Sequence, residues 1–315
     1  MYEKQLKIFV AGHKGLVGSA IVRQIETAGK NTWIGATRDQ LDLCDRTSVF
    51  EFMGEHKPDG VIIAAAKVGG IVANSNFPVE FLSENVQVQT NLMDAAHSFN
   101  VENLVFLGSS CIYPKFAPQP INEDSLLTGP LEETNEAYAV AKIAGVKLVQ
   151  AYRKEYGRKW TSAMPTNLYG PGDNFDPQTS HVLPALLRKF HEASLSGAQS
   201  VTLWGSGTPR REFLHVDDLA KAVLFLLQGY DDGTAINVGT GVDLEIRELA
   251  NLIAQVTDYH GQINWDTSKP DGTPQKLLDV TRINNLGWTS EITLDQGLRS
   301  TYEWFVEALA AGNLR

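Results

Sequence analysis

A short apolar run, Leu6-Lys-Ile-Phe-Val-Ala11, passes directly into Gly12-His13-Lys14-Gly15-Leu16-Val17-Gly18. An apolar-periodic segment through Ile21, Val22 and Ile25 follows and ends near Gly29. Strand, three glycines at threefold spacing, then helix is the context that a dinucleotide-binding loop requires. Glycines let the backbone turn tightly and approach a pyrophosphate, whose charge then faces the helix N-terminus. The spacing is G-x-x-G-x-x-G and not the G-x-G-x-x-G dehydrogenase fingerprint.

The alternation continues beyond this unit. Thr32-Trp-Ile-Gly-Ala36, Val61-Ile-Ile-Ala-Ala-Ala66, Leu104-Val-Phe-Leu-Gly108 and Trp160-Thr-Ser-Ala-Met164 read as strands. Residues 78–99 read as a packing helix with Phe81, Val88, Leu92 and Ala95 on one stripe. Strands alternating with helices over the first half predict a Rossmann-type, doubly wound parallel α/β sheet. Beyond Gly172 the pattern loosens, with helices expected over 182–193, 219–227, 244–256 and 294–309 and a late strand at 235–239. This half is expected to be a smaller C-terminal substrate-binding domain. The expected division is 1–170 for the cofactor, rejoined by segments near 212–240, and mainly 171–315 for the substrate.

Composition narrows the partners. At 315 residues the chain is long enough for a sizeable core, and its net charge of −10 argues against nucleic acid. Anionic ligands held in local basic pockets stay possible. Cys44 and Cys111 make no disulfide or metal pattern, so no metal is expected and a reducing cytoplasm is. No signal peptide, lipidation motif or long apolar span is visible, so no membrane partner is expected.

The candidate chemistry lies between Gly108 and Lys142. Tyr138-Ala-Val-Ala-Lys142 puts a phenol and an amine on one helix face, where a cation should lower the phenol's pKa. Ser109, at a strand end, can meet that phenol over a common substrate oxygen, and the three together can pass a proton to a carbonyl. Taken alone, Tyr-x-x-x-Lys is equally an exposed helix with an aromatic anchor. At the end of the second strand an NAD enzyme wants an acid for the ribose 2′-hydroxyl, but the chain offers Thr37-Arg38-Asp39. Arg38 can fork onto a 2′-phosphate and Lys14 supports the same charge, while strand alternation should turn Asp39 aside. NADP(H) is therefore expected over NAD.

With these residues in hand, the chain resembles the extended short-chain dehydrogenase/reductases that act on nucleotide sugars. The resemblance runs from Lys7 to about Trp304. It is carried by 10–18, Ala66-Lys-Val-Gly-Gly70, Gly108-Ser-Ser-Cys-Ile-Tyr-Pro114, Asn167-Leu-Tyr-Gly-Pro171, Arg210-Arg-Glu-Phe213 and Lys269-Pro-Asp-Gly-Thr-Pro274. Within that family it is most similar to the epimerase-reductases of GDP-4-keto-6-deoxy sugars, although Lys14 stands where many relatives carry Arg. The resemblance implies an NADPH-dependent enzyme on a GDP-sugar. It also implies a homodimer packed through the 78–99 helix and the Tyr138 helix.

Aligned on Tyr113, Cys111 falls where the dehydratases keep their catalytic Glu, and Ser109 where they keep Thr. The resemblance thus makes Cys111 the candidate base of a 3,5-epimerisation and His181 the counter-acid. The other readings are a small buried apolar residue for Cys111 and a capping or surface residue for His181. The resemblance further implies cofactor contacts along 12–18, at Leu107, Gly108 and Lys142, and at Pro165, Asn167, Leu168 and His181. Arg211 and Lys189 are basic where a diphosphate must bind, and Trp204 offers a stacking face. Asp271 could accept from guanine or sugar donors, or serve as a turn residue ahead of Gly272. A nucleotide-sugar 4-epimerase or dehydratase, and a non-enzymatic NADP-binding regulator, are the alternative functions.

Overall fold

A computed structural model describes residues 5–177, 179–269 and 271–314. Pro270 of the 269–274 segment thus lies outside the described residues. The first half alternates β1 (Lys7–Ala11), α1 (Leu16–Ala28), β2 (Thr32–Ile34), α2 (Arg46–His56), β3 (Gly60–Ile63), α3 (Ile71–Asn76), α4 (Pro78–Ser98), β4 (Asn103–Leu107), α5 (Glu136–Tyr156) and β5 (Lys159–Pro165). There follow β6 (Asn167–Tyr169), α6 (Val182–Ser196), β7 (Ser200–Trp204), β8 (Arg210–His215), α7 (Val216–Gly229), β9 (Ile236–Val238) and β10 (Asp243–Glu245). The chain ends with α8 (Ile246–Val256), β11 (Gln262–Asp266), β12 (Gln275–Lys276), α9 (Thr281–Asn285) and α10 (Leu294–Ala310).

Six parallel strands form the main sheet in the order β2-β1-β3-β4-β5-β9. The winding reverses at β1, which has β2 on one side and β3 on the other, and ligands bind such sheets outside the carboxyl ends of the strands at that reversal. The glycine loop leaves β1 there. Ile8, Phe9, Val10, Val61, Ile62, Val105 and Phe106 are buried in this sheet, as expected of strands covered by helices on both faces. On α4, Phe81, Leu92 and Ala95 are buried and Val88 is partly buried, so the expected stripe faces inward.

A smaller sheet, β10-β8-β12 with β6 on β8, lies against a second core built from Tyr169, Phe175, Leu187, Phe190, Leu298 and Phe305. Glycines in left-handed conformation end α1 at Gly29, α5 at Gly157 and α6 at Gly197, where no side chain obstructs the turn. Among the described residues no helix is long and apolar enough to cross a membrane.

Element ends differ from the sequence reading in one systematic way. β2, β3 and β4 stop at Ile34, Ile63 and Leu107, short of the expected Ala36, Ala66 and Gly108. The small residues beyond each end are loop at the carboxyl edge. The expected helix over 244–256 begins only at Ile246, because Asp243–Glu245 pairs antiparallel with Arg210–Glu212.

Candidate active site

The three glycines of the loop answer two different needs. Gly12 has φ +85°, and a Cβ there would lie 2.7 Å from the Ala65 backbone nitrogen. A Cβ at Gly18 would lie 2.1 Å from Gly12 O, so both positions are fixed by close backbone packing. Gly15 is different, with ordinary φ and only Gly12 O within 4 Å at 3.3 Å. It heads α1 without a capping side chain, and no acid sits in the first turn. The bare surface and free N–H groups there fit a pyrophosphate. Leu16 and Val17 open the helix; His13 instead packs its ring on Trp33, 5.7 Å between centroids.

Lys14 is exposed at the loop's crest. Arg38 and Asp39 occupy the middle of a tight turn closed by Gln40 N–H donating to Thr37 O at 3.0 Å. Strand alternation therefore does not separate them, contrary to the sequence argument, because β2 has already ended. Arg38 is largely solvent-exposed, and among the described residues the one carboxylate within ion-pair reach, Glu84, stands 4.0 Å away. Its guanidinium is thus close to free for a phosphate.

Further along the sheet edge, a Cβ at Gly108 would strike Met164, which holds Leu107 and Gly108 tight against β5. Pro165 ends β5, and Asn167 opens β6 with its amide donating to Glu212 O at 2.8 Å. Leu168, in the middle of β6, is partly buried.

Ser109 caps the short 3₁₀ turn Ser110–Ile112, its Oγ accepting from Cys111 N–H at 3.2 Å. That turn is held from behind by Tyr113, whose buried hydroxyl donates to Asn237 Oδ1 at 2.6 Å. Ser109 also lies close enough to Tyr138 to act on its hydroxyl. The phenol's pKa is nevertheless raised, by burial first and by the Cys111 charge second, with Ser109 opposing. The expected lowering by Lys142 is not found. Lys142 turns its Nζ onto Leu107 O at 2.8 Å, sits 5.8 Å from the Tyr138 ring centre, and burial pushes it down to about 7. Tyr138 is therefore a protonated phenol, the form that can donate.

A buried lysine that resists its charge carries a measurable cost. Between pH 7 and about 10.4 the unfolded chain holds a proton on Lys142 that the folded chain releases, so stability rises with pH across this window and the gain is absent below 7. Lys142→Met should remove up to ~1.4 kcal/mol per pH unit of that slope and melt above the parent at pH 7. Urea titrations at several pH values measure it; parallel pH dependences for both proteins would show that Lys142 is charged in the fold.

Cys111 meets a group that the sequence reading missed. Lys276 Nζ donates to Cys111 Sγ at 3.5 Å across a small cavity of about 50 Å³ lined also by Ser110, Asn135 and Gln275. Burial would raise the thiol's pKa. The Lys276 charge, with hydrogen bonds from Ser109, Lys276 and Asn135, outweighs burial, and the thiol is lowered. His181 occupies the N-cap position of α6 but makes no side-chain cap bond. Desolvation first and the Lys276 charge second lower its imidazole. Lys276 lies two residues beyond Pro274, so the basic residue following the 269–274 segment was the available signal.

The residues expected on the substrate side differ in how free they are. Arg211 pairs with Lys276 in the β8–β12 register, is partly buried, and has no carboxylate within ion-pair reach among the described residues, whereas its neighbour Arg210 is held by Asp243 at 2.9 Å. Trp204 is exposed, with Lys269 5.5 Å from its ring centre. Lys189 is exposed but donates to Thr202 O at 2.5 Å. Asp271 spends both carboxylate oxygens on Ser206, N–H at 2.6 Å and Oγ at 2.8 Å, which favours the turn-residue reading.

Residues 8–239 match the model of the NAD dependent epimerase/dehydratase family. The GDP-L-fucose synthase of Escherichia coli (strain K12) is 54% identical over 310 residues, covering 96% of this chain and 97% of that one. A GDP-6-OMe-4-keto-L-xylo-heptose reductase from Campylobacter jejuni superimposes with TM-score 0.92 at 35% identity, covering 97% and 99% of the two chains. A GDP-L-fucose synthetase from Naegleria fowleri, bound to NADP, does so with TM-score 0.91 at 29% identity, covering 99% and 98%.

Proposed function

The chain belongs to the NAD dependent epimerase/dehydratase family, and from that premise we propose that it converts GDP-4-keto-6-deoxy-D-mannose to GDP-L-fucose in two stages at one site, an epimerisation at carbons 3 and 5 and then an NADPH-dependent reduction at carbon 4. The observation that carries this reading is Cys111: a thiol in contact with Lys276, its pKa lowered by Lys276, Ser109 and Asn135, and near enough to Tyr138 for its charge to act on that phenol. A plain reductase needs no base there.

The ketone at carbon 4 acidifies the protons at carbons 3 and 5. At each carbon in turn Cys111 removes the proton and His181 delivers one to the opposite face, and both groups exchange protons with solvent between the two inversions. Ser109 and Tyr138 hydrogen-bond the carbonyl oxygen while charge accumulates on it. In the second stage Tyr138 protonates that oxygen, and Lys142, placed against Leu107 O, orients the ribose side of the cofactor. Bound NADPH supplies the hydride to carbon 4. Arg211 and Lys189 bind the diphosphate, Trp204 stacks on the guanine or sugar, and Asp271 shapes the Trp204–Thr208 turn.

A second reading, reduction of a GDP-4-keto sugar without epimerisation, draws support from the structural likeness to the Campylobacter reductase. Incubation with GDP-4-keto-6-deoxy-D-mannose and NADPH, with identification of the product, separates them: GDP-L-fucose supports our proposal and a D-configured 6-deoxyhexose supports reduction alone.

Residues 12–18 with Arg38 form the NADP site in this proposal. Arg38→Ala should raise the NADPH KM at least tenfold, as expected on losing a charge-assisted contact of ~1.5–3 kcal/mol, and leave NADH use nearly unchanged. Equal losses with both cofactors would mean that the 2′-phosphate is read elsewhere. The proposal extends to a cytoplasmic enzyme with a cofactor unit over 1–170, rejoined near 212–240, and a substrate unit mainly over 171–315. It includes a homodimer through α4 and α5, supported by the exposed Val79, Leu82 and Val140 on those helices.

A further inference from the structure

We infer that Lys276 is the positioning residue for the epimerising base, its ammonium holding the Cys111 sulfur as a thiolate and aiming it into the site. The inference rests on the reading of Cys111 as that base.

Three observations carry it. The first is the contact itself, Nζ to Sγ at 3.5 Å, the distance of an N–H···S hydrogen bond. The second is how firmly the lysine's backbone is held. Leu277 N–H donates to Gln119 Oε1 at 2.8 Å, Leu278 N–H donates to Glu212 Oε2 at 3.0 Å, and Leu277 O accepts from Ile121 N–H at 2.7 Å. Glu212 is wholly buried and its other oxygen takes the N–H groups of Thr240 and Gly241, so the clamp reaches from β8 through the loop after β9 to β12. The lysine thus enters the cavity from a fixed strand end. The third is charge balance. Among the described residues Lys276 has no carboxylate within ion-pair reach, although Lys115 on the same cavity wall is paired with Glu132 at 3.0 Å. A lysine left without an acid beside a thiol has one available anion to make, the thiolate.

The other titratable groups around the sulfur do not supply that cation. Tyr138 is protonated, and Lys142 on the same helix is turned to Leu107 O. His181 is lowered by desolvation and by Lys276, and Arg211 stands beside Lys276 on the neighbouring strand with its Nη1 donating to Arg210 O at 2.8 Å. Lys115 and Glu132 neutralise one another. Removing Lys276 should therefore return the thiol towards the ordinary cysteine range.

The test titrates the full-length protein by iodoacetamide alkylation against pH, reading the Cys111 peptide by mass spectrometry so that Cys44 does not interfere. Lys276→Met, with Lys276→Gln as a second neutral variant should Met misfold, should raise the Cys111 pKa by at least one unit, about a tenfold loss of thiolate at neutral pH. Deuterium exchange at carbons 3 and 5 of the bound keto sugar should fall by a similar factor, its pH profile moving upward in parallel. Lys276→Arg should restore most of both, and NADPH binding should be unchanged throughout. An unchanged thiol titration accompanied by a raised KM for the GDP-sugar would overturn the inference and make Lys276 a phosphate ligand. A raised thiol pKa with undiminished exchange would overturn instead the assignment of Cys111 as the base, and with it the catalytic role given to Lys276.

Discussion

Cys111→Ser should abolish epimerisation and leave reduction running. Serine keeps the size and shape of cysteine, and the Cys111 N–H bond to Ser109 Oγ, being backbone on that side, is untouched. What is lost is the acidity. A hydroxyl has a pKa far above the thiol that Lys276, Ser109 and Asn135 lower here, and the same neighbours cannot bring an alcohol within working range. Exchange of the carbon 3 and carbon 5 protons with solvent deuterium should fall by 10²-fold or more, the scale of a positioned base. Slow hydride transfer to the unepimerised ketone should persist, since it needs only the cofactor, Tyr138 and a bound carbonyl. Undiminished exchange would return Cys111 to the role of a small packing residue.

Tyr138→Phe should do the reverse. It keeps the ring against Phe81, 6.4 Å between centroids in an edge contact, and removes the one hydroxyl proton that the second stage requires. Reduction should drop by at least ~10²-fold while NADPH affinity stays within about twofold, because the phenol serves chemistry and not binding. Exchange at carbons 3 and 5 should persist at a reduced rate, with Ser109 still donating to the carbonyl. The raised Tyr138 pKa adds a pH signature to the parent enzyme: no loss of reduction from phenol ionisation should appear up to pH 10. Near-normal reduction by the variant would remove Tyr138 from the mechanism.

The fold was legible because its signals are local. A buried strand, a glycine turn and an apolar-periodic helix each declare themselves within a dozen residues, and the right-handed crossover rule then orders the sheet. The shortened strand ends were not legible. Whether Ala64–Ala66 pairs or loops depends on Gly12 packing against Ala65, which periodicity does not encode.

The candidate site divides along the same line. The spacing of Tyr138 and Lys142 fixes their helix face, but the direction of both pKa shifts depends on burial, and the sequence argument took the cation's pull without the desolvation that opposes it. Arg210-Arg211-Glu212-Phe213 shows how four adjacent letters hide four environments. Arg210 pairs with Asp243, Arg211 stays without an acid, Glu212 clamps three backbone N–H groups, and Phe213 packs in the second core. Lys276 escaped notice because its partner is 165 positions away along the chain, and the contact forms only once β12 has paired with β8 and with the 119–121 segment.

The central claim is that one site both inverts carbons 3 and 5 and reduces carbon 4. The reaction of the purified protein with GDP-4-keto-6-deoxy-D-mannose and NADPH in deuterated water, followed by NMR of the product, tests it most directly. The account predicts GDP-L-fucose carrying deuterium at both carbons, with one NADPH oxidised per product. A D-configured 6-deoxyhexose with protium at both positions, formed at the same NADPH stoichiometry, would contradict it.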